Sequence, residues 1–341
     1  MELATFWFIL IGVLWTGFLV LEGFDFGVGM LVGILGKGRD ADDTEKRRRV
    51  LLTTIGPFWD GNEVWLLTAG GATFAAFPAW YATMFSGMYL ALLLVLVALI
   101  IRNMGFEYRH KRNSAAWKRG WDICILIGSL LPPLLIGCAL TNLVHGLPID
   151  KSMEFTGTLF TLLNPVSLLG GITLVALCLT HGSHFVALKT SGPIREEARG
   201  IATKAGLASA VLAVILLLWL GLIRGNGISW VTTVLAAVCL LAAIFFNTKG
   251  AEGKAFVGTT LTIGLTVATY FFMLFPDVMP TTLAGGTSLT TSNASSSELT
   301  LKIMTGAALV FTPIALAYTA WNYWVFRKRI GTEHIPAAHG I

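Results

Sequence analysis

Four carboxylates lie inside two long apolar runs of the sequence. Glu22 and Asp25 belong to the first run, and Asp60 and Glu63 belong to the second. Each pair has i, i+3 spacing, which places both members on one face of a helix. A charged side chain at the centre of a bilayer costs about 2.5–3.5 kcal/mol on insertion scales. These side chains must therefore face protein, water or one another, and proton or cation handling is the chemistry that they favour.

The two acidic pairs are predicted to lie at the same depth in neighbouring helices. Asp25 and Asp60 each stand about ten residues from the basic segment that joins the two runs, or roughly 15 Å at about 1.5 Å per residue. The joining segment is short, so we expect antiparallel neighbours and one cluster of all four carboxylates. Clustered like charges in a medium of low dielectric constant cannot all ionise, which suits such a cluster to proton relay. Asn62 can form hydrogen bonds with these carboxylates, and Arg102 is a candidate counter-charge by depth alone.

Two tryptophans flank the second acidic pair well inside its run. Trp59 and Trp65 can line a cavity, a quinone site or a gas path, and plain packing is the simpler interpretation. The carboxylates have a structural interpretation too, as ion pairs with bases of this chain or of a partner subunit.

The elements that must position these residues are membrane helices. Of the 341 residues, 55% are apolar and only 13% are charged, and the mean hydropathy is +0.73. Long continuous apolar runs indicate α-helical spans rather than the short alternating segments of a β-barrel. The sequence predicts an all-α integral membrane protein with nine transmembrane helices, at residues 4–35, 50–77, 79–101, 121–144, 157–180, 207–223, 228–246, 255–275 and 299–326.

The charge distribution orients these spans. All but three of the 24 Lys and Arg residues fall on one side of the predicted membrane, and the exceptions are Lys151, Arg224 and Lys302. The basic side of a membrane protein is cytoplasmic. We therefore expect the N-terminus outside and the C-terminus in the cytoplasm, which requires an odd number of spans. The net charge of +5 therefore reflects the orientation of the chain in the membrane, and we expect no nucleic-acid partner.

No metal site is predicted. The four cysteines lie within apolar runs without metal-ligand spacing. Haem in membrane proteins is held by His or Met, but no two histidines are expected to face each other at mid-membrane. We expect that this chain holds no haem. The histidines are His110, His145, His181, His184, His334 and His339.

The same segments resemble a known family. Residues 21–29 (LEGFDFGVG) are similar to the first-helix motif of subunit II of cytochrome bd quinol oxidases, and residues 56–66 (GPFWDGNEVWL) are similar to its WDGN motif. Further matching segments follow in order along nearly the whole chain, at residues 104–109, 131–137, 163–165, 275–280 and 299–321.

This resemblance implies a fold and a role. It implies one polytopic membrane domain over residues 1–341, with a four-helix bundle at 1–144, a second at 157–275 and a peripheral ninth helix at 299–326. It implies a bacterial cytoplasmic membrane protein whose partner, subunit I, holds haem b and haem d and oxidises quinol. The complex would reduce O2 to water with protons from the cytoplasm. Asp60 matches the WDGN aspartate of a proton path, and Trp65 matches a position near a proposed oxygen conduit.

Further implications concern ligands and variation within the family. Some members hold a structural quinone in subunit II, and a small single-helix subunit is a further candidate partner beside membrane lipid. Glu22 stands where some members have Asp, and Glu63 stands where some have Gln. Because Glu63 adds a second protonatable carboxyl, proton handling need not depend on Asp60 alone.

Two other function classes remain open at this point. An ion-coupled transporter would use the carboxylate cluster as a cation site, although no second copy of the acidic pattern is present in the later spans. A structural scaffold would use the carboxylates only as interface pairs.

Overall fold

The structure is a computed structural model that describes residues 2–336, and helices make up most of it. A small antiparallel sheet pairs β1 (Asp277–Met279) with β2 (Leu289–Thr290), and 3-10 turns lie at Arg109–Lys111 and Thr332–His334. The α-helices are α1 (Leu3–Leu35), α2 (Ala41–Ile55), α3 (Trp59–Ala76), α4 (Pro78–Gly87), α5 (Tyr89–Tyr108), α6 (Ala115–His145), α7 (Leu159–Leu162), α8 (Pro165–Lys189), α9 (Pro193–Arg224), α10 (Gly227–Thr248), α11 (Glu252–Leu274) and α12 (Glu298–Val325).

Eight of the described helices are long and apolar enough to cross a membrane, namely α1, α5, α6 and α8 to α12. The chain is therefore a multi-pass membrane protein, as the composition predicted. The predicted number of nine spans stays a prediction, because α3 carries Asp60, Asn62 and Glu63 in its first turns and is too polar to meet the same standard.

Three predicted spans are not continuous helices, and one of them, predicted at residues 157–180, is interrupted at Leu163 and Asn164 between α7 and α8. In the span predicted at residues 50–77, α2 ends at Ile55 and α3 begins at Trp59. Pro57 lies in this break, where its missing N–H and its ring disfavour continuation of the helix. The span predicted at residues 79–101 is likewise divided at Met88, between α4 and α5. The break between α2 and α3 matters for function, because it sets the rotation of α3 about its axis.

Helix α1 is central and contacts α3, α6, α8 and α11. Small residues allow this close approach. Gly27 lies directly against Gly182 of α8, and Gly29 lies against Ser129 of α6, so that a Cβ at either glycine would collide with its neighbour. The glycines of the first motif therefore bring the acidic face of α1 into the protein interior.

Helix α12 is peripheral and is fastened at both ends. Leu301 is its only buried residue. Near its N-terminal end, the Trp7 indole donates hydrogen bonds to Leu301 O (3.3 Å) and Thr305 Oγ1 (3.0 Å). Near its C-terminal end, the Asn322 amide donates to Pro57 O (3.0 Å), which lies in the break between α2 and α3. The peripheral helix therefore supports the segment that carries the second acidic motif.

Candidate functional site

Two of the four carboxylates lie at the centre of the protein. Glu22 and Asp25 are both 0% exposed, on the face of α1 that points into the helix bundle. Groups of this kind are stable in a protein interior only when they are paired, hydrogen-bonded or protonated. Their partners therefore determine what the site can do.

Glu22 is paired with a buried arginine. Arg102 of α5 donates a hydrogen bond from Nη1 to Glu22 Oε1, and it is also 0% exposed. Its guanidinium lies 4.9 Å from the ring centroid of Phe26 and 5.0 Å from that of Phe106. The partner suggested by depth is thus confirmed. A buried pair of this kind is costly to break, because removing one member leaves the other charge uncompensated.

Asp25 is held by an amide. Asn62 of α3 donates from Nδ2 to Asp25 Oδ2 (2.7 Å) and to Leu21 O (3.2 Å). The hydroxyl of Tyr323 on α12 donates to Asn62 Oδ1 (2.9 Å). Three helices therefore converge on the Asp25 carboxyl.

Glu63 lies at the edge of this group. It is half-buried on α3, and Asn103 of α5 donates to its Oε2 from Nδ2 (2.7 Å). Asn103 follows Arg102 directly, so one turn of α5 serves both glutamates. Glu22, Asp25 and Glu63, with Arg102, Asn62 and Asn103, form what we call the carboxylate cluster.

Asp60 is outside the carboxylate cluster, and the expectation of a four-member cluster is wrong at this residue. Its side chain is exposed and has no hydrogen bond or ion pair with the described residues. The reason is helical rotation: successive residues turn by about 100° around the axis. The inward face of α3 runs through Asn62, Ala69 and Thr73. Asp60, two residues before Asn62, consequently points to the opposite side.

The carboxylate cluster has more hydrogen-bonding capacity than its own side chains use. Several of its polar atoms are buried without a partner among the described residues, and an unmatched buried polar atom of this kind is unusual in a folded protein. These unpartnered polar atoms suit a site that takes up water or exchanges protons. These atoms are Glu22 Oε2, Asp25 Oδ1, Arg102 Nε and Nη2, Asn103 Oδ1 and the nearby Ser129 Oγ.

A cavity of about 720 Å3 lies at the basic end of the molecule, beside the break between α2 and α3. Trp59 lines it and packs on Phe106 with ring centroids 5.5 Å apart. Phe106 in turn lies over Arg102. Phe106 lines the cavity as well, so its ring lies between the cavity and the Arg102 member of the carboxylate cluster.

The two tryptophans of the second motif have different surroundings. Trp65 is half-buried and lies against Gly17 of α1, where a Cβ would collide with its ring. A second cavity of about 480 Å3 lies among α3, α4, α5 and α6 and is almost entirely apolar, and Leu66 and Leu67 contribute to its lining from α3. Trp59 therefore lines a cavity as proposed from the sequence, whereas Trp65 packs between helices.

Ion pairs fasten the rim of the larger cavity. Arg109 donates to both oxygens of Glu45 (3.0 and 2.9 Å) and from Nε to Asp122 Oδ1 (2.6 Å). Lys118 donates to Glu45 Oε1 (3.1 Å). Burial raises the pKa of Glu45, but the hydrogen bonds from Arg109 and Lys118 outweigh it and hold this pKa below its usual value. The rim thus joins α2 to α6 through fixed charges.

Two buried histidines lie on α8. His181 is already engaged at both ring nitrogens, with Thr259 Oγ1 at 2.7 Å and Val20 O at 3.1 Å. His184 lies on the same helix, with Nδ1 3.5 Å from the same Thr259 hydroxyl, and its buried Nε2 has no hydrogen-bond partner among the described residues. Among residues 2–336 no group of three or more His, Cys, Asp or Glu side chains is arranged to hold a metal ion. His339 lies outside the described residues.

Two residues of the site were not found from the sequence. Asn103 had a signal, because it follows Arg102 directly in a span that is otherwise apolar. Tyr323 had only a weak signal, a polar Asn322–Tyr323 pair near the end of the last span. Its approach to Asn62 depends on tertiary packing.

Comparisons with known proteins agree on one family. A family model described as cytochrome bd terminal oxidase subunit II matches residues 3–326. The chain is 43% identical over 337 residues to cytochrome bd ubiquinol oxidase subunit 2 of Bacillus subtilis (strain 168), covering 96% of this chain and 97% of that protein. It is 39% identical over 367 residues to cytochrome bd-I ubiquinol oxidase subunit 2 of Escherichia coli (strain K12), covering 96% and 95%. A solved structure of bd oxidase from Geobacillus thermodenitrificans superposes with a TM-score of 0.76 at 15% identity, covering 96% of this chain and 100% of that one, which supports the fold alone.

Proposed function

This chain belongs to the cytochrome bd terminal oxidase subunit II family, and we propose that it conducts protons from the cytoplasm for the reduction of O2 by quinol. As a subunit of that oxidoreductase complex it acts together with a partner subunit I, and the family implies haem in the complex. Haem b and haem d belong to subunit I under this proposal, and they supply electron transfer and oxygen chemistry. The hydrogen bonds at both ring nitrogens of His181 support that assignment for this residue.

The carboxylate cluster is the observation that carries the proposal. Fully buried Glu22 and Asp25 are useful for proton transfer because each can be neutral or charged beside fixed partners. The larger cavity supplies water-sized space from the basic, cytoplasmic end. Protons would pass from this cavity, alongside the rings of Trp59 and Phe106, to the carboxyl of Glu63. They would then reach the carboxyls of Asp25 and Glu22.

Asp60 keeps a role under this proposal, in a different place from the one expected. Its exposed carboxyl belongs to the WDGN motif and lies one turn from Glu63. We assign it to proton exchange on the outer surface of α3, at the boundary with subunit I.

The larger architecture follows the same family. We propose nine spans, with α2 and α3 together forming the second, in one domain over residues 1–341. The bundles would comprise residues 1–144 and 157–275, with α12 as the peripheral helix of 299–326. The N-terminus would be outside a bacterial cytoplasmic membrane and the C-terminus inside, as the basic loops indicate.

The apolar cavity suits a nonpolar ligand. Its lining of Leu, Phe, Met and glycine fits a quinone tail, a lipid chain or O2 on its way through the protein. A structural quinone and a small single-helix subunit remain proposals, as does an oxygen path near Trp65.

The transporter hypothesis is not favoured. The family match covers residues 3–326 and includes both acidic motifs. Glu22 is moreover already neutralised by Arg102, which leaves less negative charge for a cation than four free carboxylates would provide.

The test is to replace carboxyls in the assembled complex. Asp25→Asn keeps the shape and the Asn62 contact but cannot carry a proton, so we expect quinol-dependent oxygen uptake to fall by about tenfold or more. Glu22→Gln should also slow uptake, and Asp60→Asn should slow it without preventing assembly. Oxygen consumption is measured on the purified complex, with haem content determined from its visible spectrum.

Asp42→Asn is the matched control, because Asp42 is an exposed carboxylate that only pairs with Lys46 within α2. It should leave oxygen uptake unchanged. Full activity in Asp25→Asn and Glu22→Gln, with haem retained, would show that the carboxylate cluster is structural. Loss of haem in every variant would instead support the scaffold hypothesis.

A further inference from the structure

The cytoplasmic end of α12 contacts the second acidic motif through one aromatic residue. The ring of Tyr323 stacks on Phe58 with centroids 4.4 Å apart and planes 6° from parallel. Its hydroxyl reaches Asn62 Oδ1 at 2.9 Å. The ring is thus held by stacking, and the hydroxyl is left free to act on the amide.

We propose that Tyr323 is a positioning residue for Asp25, which fixes the Asn62 amide so that its NH2 group always faces the carboxyl. This inference deepens the proposed function and rests on it, because it assigns control of the central proton-carrying group to the peripheral helix.

The chemistry follows from the two ends of an amide. Asn62 has one acceptor oxygen and two N–H donors. The Tyr323 hydroxyl donates to the oxygen, while Leu21 O and Asp25 Oδ2 accept from the nitrogen. A donor facing Asp25 favours its ionised form, which is the form that accepts a proton.

Removal of the hydroxyl changes this preference. Without a donor, Asn62 Oδ1 becomes a buried acceptor with no partner, which is costly. A protonated Asp25 can supply the missing donor if the amide turns round. The Tyr323→Phe variant should therefore favour the protonated form of Asp25 more than the native chain does.

Other ionisable groups also face Asp25 and must be held constant. Glu22 lies on the same helix, Glu63 on α3 and Arg102 on α5. From α8, Cys178 and His181 pack against the same stretch of α1. None of these residues contacts the Tyr323 hydroxyl among the described hydrogen bonds, so Tyr323→Phe removes only the hydrogen bond to Asn62.

The experiment compares pH profiles of the assembled complex. In Tyr323→Phe, quinol-dependent oxygen uptake should lose activity on the acid side at a pH about half a unit to one unit higher than in the native complex. Activity at the alkaline plateau should stay within about twofold. Tyr318→Phe is the control, because Tyr318 lies on the same helix but is 63% exposed.

A second variant tests whether the effect passes through Asn62. In an Asn62→Leu background, adding Tyr323→Phe should not move the pH profile further. An additional shift in the double variant would overturn the proposal, as would identical profiles for Tyr323→Phe and the native complex.

An infrared titration separates this inference from the proposed function. The carboxyl band that disappears in Asp25→Asn reports protonated Asp25 directly, without turnover. It should persist to higher pH in Tyr323→Phe even if Asp25→Asn remains fully active, which would contradict only the proton path. An unchanged titration of that band would refute the role of Tyr323.

Discussion

At the scale of single residues, the buried Glu22–Arg102 pair is the most sensitive contact of the site. Both side chains are 0% exposed. Arg102→Met keeps much of the apolar stem but leaves the Glu22 carboxylate without its counter-charge. We expect a loss of roughly 3–5 kcal/mol in stability, the usual cost of breaking a buried pair. The thermal midpoint and the yield of the purified complex measure this loss.

Removing the second charge tests the explanation. The double variant Glu22→Gln/Arg102→Met contains no uncompensated charge and should recover most of the midpoint lost in Arg102→Met. It should still be slow in oxygen uptake, because the Glu22 carboxyl is absent. A double variant less stable than Arg102→Met would mean that packing, rather than charge, dominates at this position.

At the scale of single residues, the sequence predicted correctly those features that depend only on whether a side chain is buried. Glu22 and Asp25 lie in a run with a glycine-rich face, so their burial and the depth of Arg102 could be predicted. Asp60 could not be placed correctly, because its direction depends on how α3 is rotated after the break at residues 56–58. Spacing relates Asp60 to Glu63, but it does not say which of them is turned inward.

At the scale of helices, the crossing of α1 and α8 depends on Gly27. A Cβ built there would collide with Cys178 O and with the Gly182 backbone, neither of which can move like a side chain. We expect Gly27→Ala to cost about 1–3 kcal/mol or more by overpacking. Gly33→Ala is the matched control on the same helix, because no atom beyond the local helix backbone lies within 4 Å of its Cβ position.

Thermal unfolding of the two complexes measures the difference. Gly33→Ala should be neutral or slightly stabilising, because alanine is the better helix former. Equal midpoints for both variants would show that the two helices can separate locally without cost. The collision in Gly27→Ala should also displace Glu22 and Asp25. Oxygen uptake should therefore fall together with the thermal midpoint.

The interruption at residues 56–58 explains why helix prediction was incomplete. Apolarity predicted one membrane segment over residues 50–77. The full break needs partners for the freed carbonyls, which membrane helices obtain from their neighbours. Here Asn322 of α12 reaches Pro57 O from 265 residues away in the chain. No local pattern contains that information.

At the scale of the whole molecule, the uneven distribution of basic residues predicts which side faces the cytoplasm. Single cysteines are introduced at exposed Lys151, Lys111 and Lys328 and treated with a membrane-impermeant thiol reagent. Intact cells should label only Lys151→Cys, and permeabilised cells should label all three; the unsubstituted chain controls for its own four cysteines. The larger cavity opens among the basic loops, so the opposite labelling pattern would place it outside the cell. Proton uptake through the carboxylate cluster could then not consume cytoplasmic protons, even with the geometry of the cluster unchanged.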